Sequence, residues 1–179
     1  MSRLTIPVSD ADHRSGPASA RLTLVEYGDY ECPYCGAAYP VLKAVQQAMG
    51  DKLSFVFRNF PLTEMHPHAL HAAEFAELAA SVGKFWEAHD MLYEHQEALR
   101  NDDLFQYGEI LGLKKTQIAA AFEGQFDDKI QTDFSGGIRS GVNGTPRLFI
   151  NSMRYDRPCE FNALVDVLRE IDEGLTSGI

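Results

Sequence analysis

The chain has 179 residues, 45% of them hydrophobic, with 16 basic against 26 acidic side chains and a formal charge of −10. That length supports one globular domain with its own core, with room for an insertion. So acidic a surface repels phosphate backbones and argues against a nucleic-acid partner, and three cysteines are too few for a disulfide framework.

Residues 1–20 are rich in Ser, Asp, Pro and Gly and read as a flexible leader, with Ser15-Gly16-Pro17 as a turn signal. They hold no apolar run of signal-peptide length, and no stretch of the chain is apolar enough to span a bilayer. The expectation is a cytoplasmic protein without membrane insertion; a periplasmic location requires a misassigned start. Arg21 to Tyr27 alternates and is rich in β-formers, which predicts a buried strand. It leads through Gly28-Asp29-Tyr30-Glu31 into Cys32-Pro33-Tyr34-Cys35. Tyr34, Ala38, Val41, Leu42, Val45 and Met49 then recur at helical spacing, with Pro40 inside as an expected kink. Leu53, Phe55 and Phe57 alternate with Ser54, Val56 and Arg58 as a second strand. Strand, helix and strand make a βαβ unit with the cysteine pair at its first turn.

From His68 the pattern becomes helical. An Ala-rich amphipathic helix runs to Gly83, and a second covers Phe85 to Leu99. Shorter ones cover Leu104 to Leu111 and Thr116 to Phe122. Ile130, Phe134 and Ile138 suggest one more, weakened by Gly136-Gly137. Strand character returns at Arg147 to Ile150. Asn151-Ser152 turns the chain into Met153-Arg154-Tyr155, a hairpin, and a last helix spans Phe161 to Ile171.

Two cysteines with two residues between them can close and reopen a small disulfide. The missing amide of Pro33 suits the first helical position, and the residue before a proline is steered away from helical dihedrals. Cys32 is therefore expected at the helix N-cap, where free amides and the helix dipole stabilise a thiolate, the form that attacks disulfides. Cys35 follows one turn later as the resolving thiol. In a reducing cytosol such a pair is catalytic or sensing, not structural. A zinc site needs four ligands, and no second such pair exists. His66, His68, His71, His89 and His95 fall in or beside an Ala-rich amphipathic block, where packing or surface roles are the ordinary ones. The expectation is no metal and no organic cofactor. Cys159 stands alone and is read as a small buried hydrophobe.

This order of elements resembles the thioredoxin fold, and the helices between its second and third core strands resemble the DsbA-like branch. Further residues carry the likeness: Phe60-Pro61-Leu62 with His66-Pro67-His68-Ala69, then Gly83-Lys84-Phe85-Trp86-Glu87-Ala88-His89-Asp90, and Gly141-Val142-Asn143-Gly144-Thr145-Pro146. The resemblance implies an α/β fold with a thioredoxin-like core at 21–60 and 140–179 and a helical insertion domain at 61–139. It implies a cis Thr145-Pro146 beside Cys32 and Cys35, docking a substrate backbone by strand addition. Glu26, six positions before Cys32, takes the place of the buried acid that accepts the Cys35 proton. Pro33, Tyr34 and Arg147 complete the implied substrate contacts.

Two departures alter the expected chemistry. Tyr34 stands where the strongly oxidising members carry histidine, which predicts a milder potential. Asp29 and Glu31 add negative charge near Cys32 and are expected to raise its pKa. Arg147 is more basic than the small residue expected after the proline and points to acidic substrates. The resulting expectation is a thiol–disulfide oxidoreductase acting on protein or small-molecule thiols and disulfides, its redox partner unnamed. The alternatives are a redox-sensing or chaperone-like binding module, and a kappa-type glutathione transferase or isomerase. The second of these uses a serine where this chain has its cysteine pair.

Overall fold

The structure, a computed structural model, describes residues 2–177. Met1, Gly178 and Ile179, which the ranges 1–20 and 140–179 include, lie outside the described residues. In chain order the elements are β1 (His13–Ser15), β2 (Leu22–Gly28), α1 (Pro33–Met49), β3 (Leu53–Asn59), α2 (Ala69–Ala80), α3 (Phe85–Glu94), α4 (Asn101–Leu111), α5 (Lys115–Ala120), α6 (Asp127–Arg139), β4 (Arg147–Ile150), β5 (Met153–Tyr155) and α7 (Phe161–Ser177).

The five strands form one sheet in the order β1-β3-β2-β4-β5. Only β2 and β3 run parallel, and α1 is the crossover that a parallel pair requires. The remaining pairs are antiparallel. This is an α/β fold with a block of helices, α2 to α6, entering between β3 and β4. Both faces of the sheet are covered, which is why β2 and β3 are buried along their lengths, polar residues of both strands included. Leu22 and Leu24 pack into the cluster that holds residues of α1, α2, α3 and α7. Val25 and Tyr27 point to the other face, with Val56, Phe60, Val142 and Phe149. A strand's side chains alternate with period two, so Glu26 shares the face of Leu24 and lies beneath α1.

Several element ends differ from the sequence expectation, each for a local reason. The helix expected over 85–99 stops at Glu94, because His95 leaves helical dihedrals (φ −125°, ψ 39°). The next residue, Gln96, is then free to turn back toward the cysteine pair. The Gly136-Gly137 pair does not interrupt α6. A Cβ on Gly137 would stand 2.8 Å from the Phe60 ring and 3.0 Å from that of Tyr27, so the glycine marks close helix–sheet approach. α7 continues beyond Ile171 to Ser177. Tyr34, expected on the core face of α1, is instead 74% exposed.

Residues 1–20 were expected as a flexible leader. Within the described part, residues 2–20 form a strap across the Val25–Tyr27 face of the sheet. Arg3 bridges to Met153 on β5 at one edge, and β1 pairs with β3 at the other. Leu4 and Val8 pack on the core between these points. The strap is anchored by Arg58 of β3, which is 2% exposed. Its guanidinium donates to Asp12 Oδ1 and Oδ2 at 2.7 and 3.0 Å, to the carbonyls of Ile6 and Pro7, and to the Tyr27 hydroxyl. His13 adds an Nε2 contact to Glu77 at 2.8 Å and stacks on Phe85 at 3.6 Å. Composition gave no sign of this, since the strap is held by one ion pair and backbone pairing more than by apolar periodicity.

Removing one partner of a buried ion pair costs about 3–5 kcal/mol. Asp12→Ala should therefore lower unfolding free energy by about that amount in urea titration. A loss below about 1 kcal/mol, the scale of a surface pair, would show that the strap is not held by Arg58.

Candidate functional site

The parallel pair β2–β3 and its crossover deliver the cysteines to the carboxyl end of β2. Cys32 is the N-cap of α1, with extended dihedrals (φ −72°, ψ 120°), and Pro33 begins the helix. Pro33 needs no amide partner there, and it keeps Cys32 extended. Both cysteines are free thiols, Cys32 3% and Cys35 0% exposed.

Cys32 Sγ lies 3.4 Å from the carbonyl oxygen of Thr145, to which its thiol form donates. The Thr145–Pro146 peptide is cis. The loop before β4 thus brings Thr145 and Pro146, remote in sequence, to the start of α1. The Cys32 thiol is lowered to about 5. The largest cause is the hydrogen bond from the Cys35 thiol; burial opposes it, and Thr145 and the amides of Cys35 and Tyr34 add to it. The Thr145 hydroxyl is buried with no partner of its own, which leaves it available to the sulfur. Cys35 is pushed the opposite way, well above an ordinary thiol, by burial first, then by its bond to Cys32 and by the charges of Glu26 and Cys32. One thiol is thus readied as an anion and its neighbour is kept protonated.

Asp29 and Glu31 do not act as the sequence suggested. Asp29 is 1% exposed and accepts from the amides of Glu31 and Leu62, each at 2.8 Å, and from His66 Nδ1 at 2.7 Å. Glu31 accepts from the amide of His68 at 2.6 Å. Both carboxylates are used to tie the cysteine loop to the segment that enters the helical block, and neither is a cause of the Cys32 shift. Their negative charge is already met by amides and by His66, so the expected rise in the Cys32 pKa does not occur.

Glu26 lies behind the pair, 2% exposed, with Oε1 lacking any hydrogen-bond partner. Burial, and then the negative charge on Cys32, raise its carboxyl to about 8. Gln96 is a site residue that the sequence did not reveal. Its Nε2 donates to the carbonyls of Tyr30 and Cys32 at 2.8 and 2.7 Å, fixing the backbone on both sides of Glu31. Gly36 permits this, because a Cβ there would stand 2.1 Å from Gln96 Oε1. The only available signal was the glycine directly after Cys35.

A groove of about 460 Å³ opens between the first turn of α1 and the β4–β5 hairpin. Tyr34 and Ala38 line one side, and Thr145, Pro146 and Arg147 the other. Arg157 and Cys159 close it from the loop after β5. Pro33, at the head of the helix, is exposed. Cys159 is half-buried on this wall, packed against the edge of the main core cluster. Burial and the charge of Glu26 push its thiol up to about 11, so it is protonated near neutral pH and is no rival nucleophile.

His71, His89 and His95 pack against aromatic rings. His89 is 3% exposed and accepts from the Tyr30 hydroxyl at 3.2 Å. Burial lowers it to about 3, so it stays neutral. His71 stacks on Phe122 at 4.4 Å, and His95 lies 5.6 Å from the Tyr107 ring. Among the described residues no group of three or more His, Cys, Asp or Glu side chains is arranged to hold a metal, and no helix is long and apolar enough to cross a membrane.

Known proteins share this architecture. A thioredoxin-like oxidoreductase from Silicibacter pomeroyi superposes with a TM-score of 0.81, covering 92% of this chain and 94% of its own at 22% identity. Oxidised BdbD from Bacillus subtilis gives 0.80, covering 94% and 97%, at 19% identity. In sequence, the chain is 43% identical over 165 residues to the Na(+)/H(+) antiporter NhaA 3 of Salinispora tropica. That match takes in 90% of this chain but 25% of the relative, so the chain spans about a quarter of the length of the curated relatives it matches. A family model described as Thioredoxin matches residues 9–170, and with it the chain belongs to the thioredoxin family.

Proposed function

We propose that the protein is a thiol–disulfide oxidoreductase working through a mixed disulfide. The observation that carries this reading is the contrast between two adjacent thiols, Cys32 lowered to about 5 and Cys35 held well above 9, beside an open groove. The DsbA-type architecture of the structural neighbours supports such activity in general.

In the reducing direction, the Cys32 thiolate attacks one sulfur of a substrate disulfide. That sulfur–sulfur bond breaks, one substrate thiolate leaves, and Cys32 is bonded to the other. With the Cys32 anion gone, Glu26 releases its proton to solvent, and its carboxylate then takes the Cys35 proton as Cys35 attacks Cys32 Sγ. The second substrate thiolate departs, Cys32 and Cys35 are joined, and two electrons have passed to the substrate. An external dithiol restores the pair, and the reverse sequence oxidises a substrate dithiol. Thr145-Pro146 and the groove align the substrate backbone. A cytoplasmic setting suits the reducing direction, since its thiol pool keeps the pair supplied with electrons.

Glu26 is timed by charge. While Cys32 is an anion, burial and, second to it, the field of that anion keep the Glu26 carboxyl protonated at neutral pH. Formation of the mixed disulfide removes that anion. The Glu26 carboxyl then ionises more readily, at the moment Cys35 must lose its proton.

A second reading concerns the setting. The identity to antiporter-named proteins extends over 90% of this chain, which favours a unit that works beside a Na(+)/H(+) antiporter and responds to, or sets, its thiol state.

Cys32→Ser should abolish insulin reduction, whereas Cys35→Ser should accumulate mixed disulfides on non-reducing gels; full activity in both variants would remove the mechanism. Alkylation of Cys32 by iodoacetamide should follow thiolate fraction, with a midpoint near pH 5 and a plateau above it; a midpoint near pH 9 would contradict the thiol contrast. Glu26→Gln should slow release of the second substrate thiolate about 10²-fold or more, the usual weight of a positioned proton acceptor, in rapid-quench kinetics near neutral pH. Because the acceptor is the ionised form, the wild-type release rate should rise with pH and level off once Glu26 is deprotonated; an E26Q rate equal to wild type excludes the role. For the second reading, this chain can replace the matching segment of the Salinispora tropica relative. Sodium–proton exchange in vesicles should then change on adding reductant with the wild-type pair and not with Cys32→Ser.

A further inference from the structure

The groove beside the cis peptide is positive on a chain whose formal charge is −10. Its lining includes Arg147 and Arg157 and no carboxylate. Arg147 is poorly satisfied. Its Nε is buried without an acceptor, and its Nη2 reaches Asn143 Oδ1 only at 3.4 Å. Its nearest carboxylate, Asp156, is 3.8 Å away and is held by Arg154 Nε at 2.6 Å. Arg157 is exposed and makes no ion pair among the described residues. The loop that carries it is fixed by the Tyr155 hydroxyl donating to the Pro158 carbonyl at 3.0 Å. A buried donor left unmatched costs free energy that an incoming acceptor recovers.

Position gives the arginines their meaning. Cys32 Sγ touches the Thr145 carbonyl, and Arg147 follows two residues later on β4. Strand residues advance about 3.3 Å each, so Arg147 sits roughly 7 Å along the chain from the sulfur's contact point. An extended peptide lying along this edge, with its own cysteine at Cys32, presents its neighbouring side chains to the arginines.

We propose that this groove selects extended peptide substrates that carry a carboxylate side chain within two residues of the cysteine exchanging with Cys32. The inference rests on the exchange reaction proposed above and names its substrate class. The remainder of the acidic surface repels such peptides, so Arg147 and Arg157 confine productive approach to the redox end.

The test uses disulfide-linked dimers of short acetylated, amidated peptides with Glu, Gln or Lys two residues from a single cysteine. The reduced protein is mixed with each in single-turnover rapid quench, so no recycling reductant is needed. An exposed ion pair contributes about 0.2–1 kcal/mol, or roughly 1.4- to 5-fold each, so the Glu peptide should react about three- to tenfold faster than the Gln peptide. The Lys peptide should be slower than either. The Glu-to-Gln ratio should shrink in about 0.5 M salt, fall in Arg157→Gln and in Arg147→Gln, and approach one in the double variant. Arg157 is exposed, so its variant reads out even where the other perturbs β4. A ratio of one in the wild type, or a ratio unchanged in the double variant, overturns the inference.

A binding arm separates this from failure of the exchange reading. The Cys32→Ser, Cys35→Ser protein is titrated with the same peptides, cysteine replaced by serine, in fluorescence anisotropy. Arginine-dependent preference for Glu there, with no turnover of any peptide, retains the groove assignment and removes the exchange reaction. Equal turnover and equal binding of all peptides do the reverse.

Discussion

A pocket of low polarity beneath the first turn of α1 holds three acidic groups, Glu26, Cys32 and Cys35, and has room for one negative charge. The helix start supplies amides to Cys32 alone, so the charge resides there. Cys35 and Glu26 remain protonated because each is buried and each lies in the field of that anion. The other parts of the site serve this arrangement. Pro33 and Gln96 fix the backbone around Cys32, and the Thr145 loop covers it. Asp29 and Glu31, which would otherwise crowd the pocket with further charge, are spent on amides and on His66.

The main elements were legible because they rest on short-range signals. The alternation of Leu22, Leu24 and Val25, the helical spacing from Ala38 to Met49 and the proline after Cys32 specify β2, α1 and the N-cap locally. Glu26 was legible through resemblance and is placed by strand parity: it shares Leu24's side of β2, under α1. What escaped depends on contacts between distant residues. Gln96 reaches Cys32 because α3 ends early, and nothing in its own neighbourhood marks it. The β1 strap is secured by Arg58 and Asp12, a pair recognisable only once both are folded. The expected effect of Asp29 and Glu31 on Cys32 is missing from the causes of its shift, because a carboxylate's influence depends on what it already binds, and sequence proximity does not report that.

The groove brings an otherwise unremarkable set of residues together. The hairpin from β4 to β5 and the loop after it carry Arg147, Arg157 and Cys159, and α1 carries Tyr34. The hairpin is fixed to the sheet through β2, the same strand that carries Glu26. One strand therefore sets the distance between Glu26 and the groove. The difference between Cys32 and Cys159 follows the same logic: both are cysteines near the groove, but only one lies at a helix start, and their thiols are driven in opposite directions.

The strap has a consequence for how the chain reaches this state. Arg3 meets Met153, and His13 meets Phe57, so residues of the strap have partners that follow them in the chain by very different intervals. Closing so long a loop gains nothing until both sheet edges exist. The Arg3 end of the strap therefore stays undocked until β5 has been made and paired. During that interval the Val25–Tyr27 face and the guanidinium of Arg58 stand open to water, and aggregation would begin there.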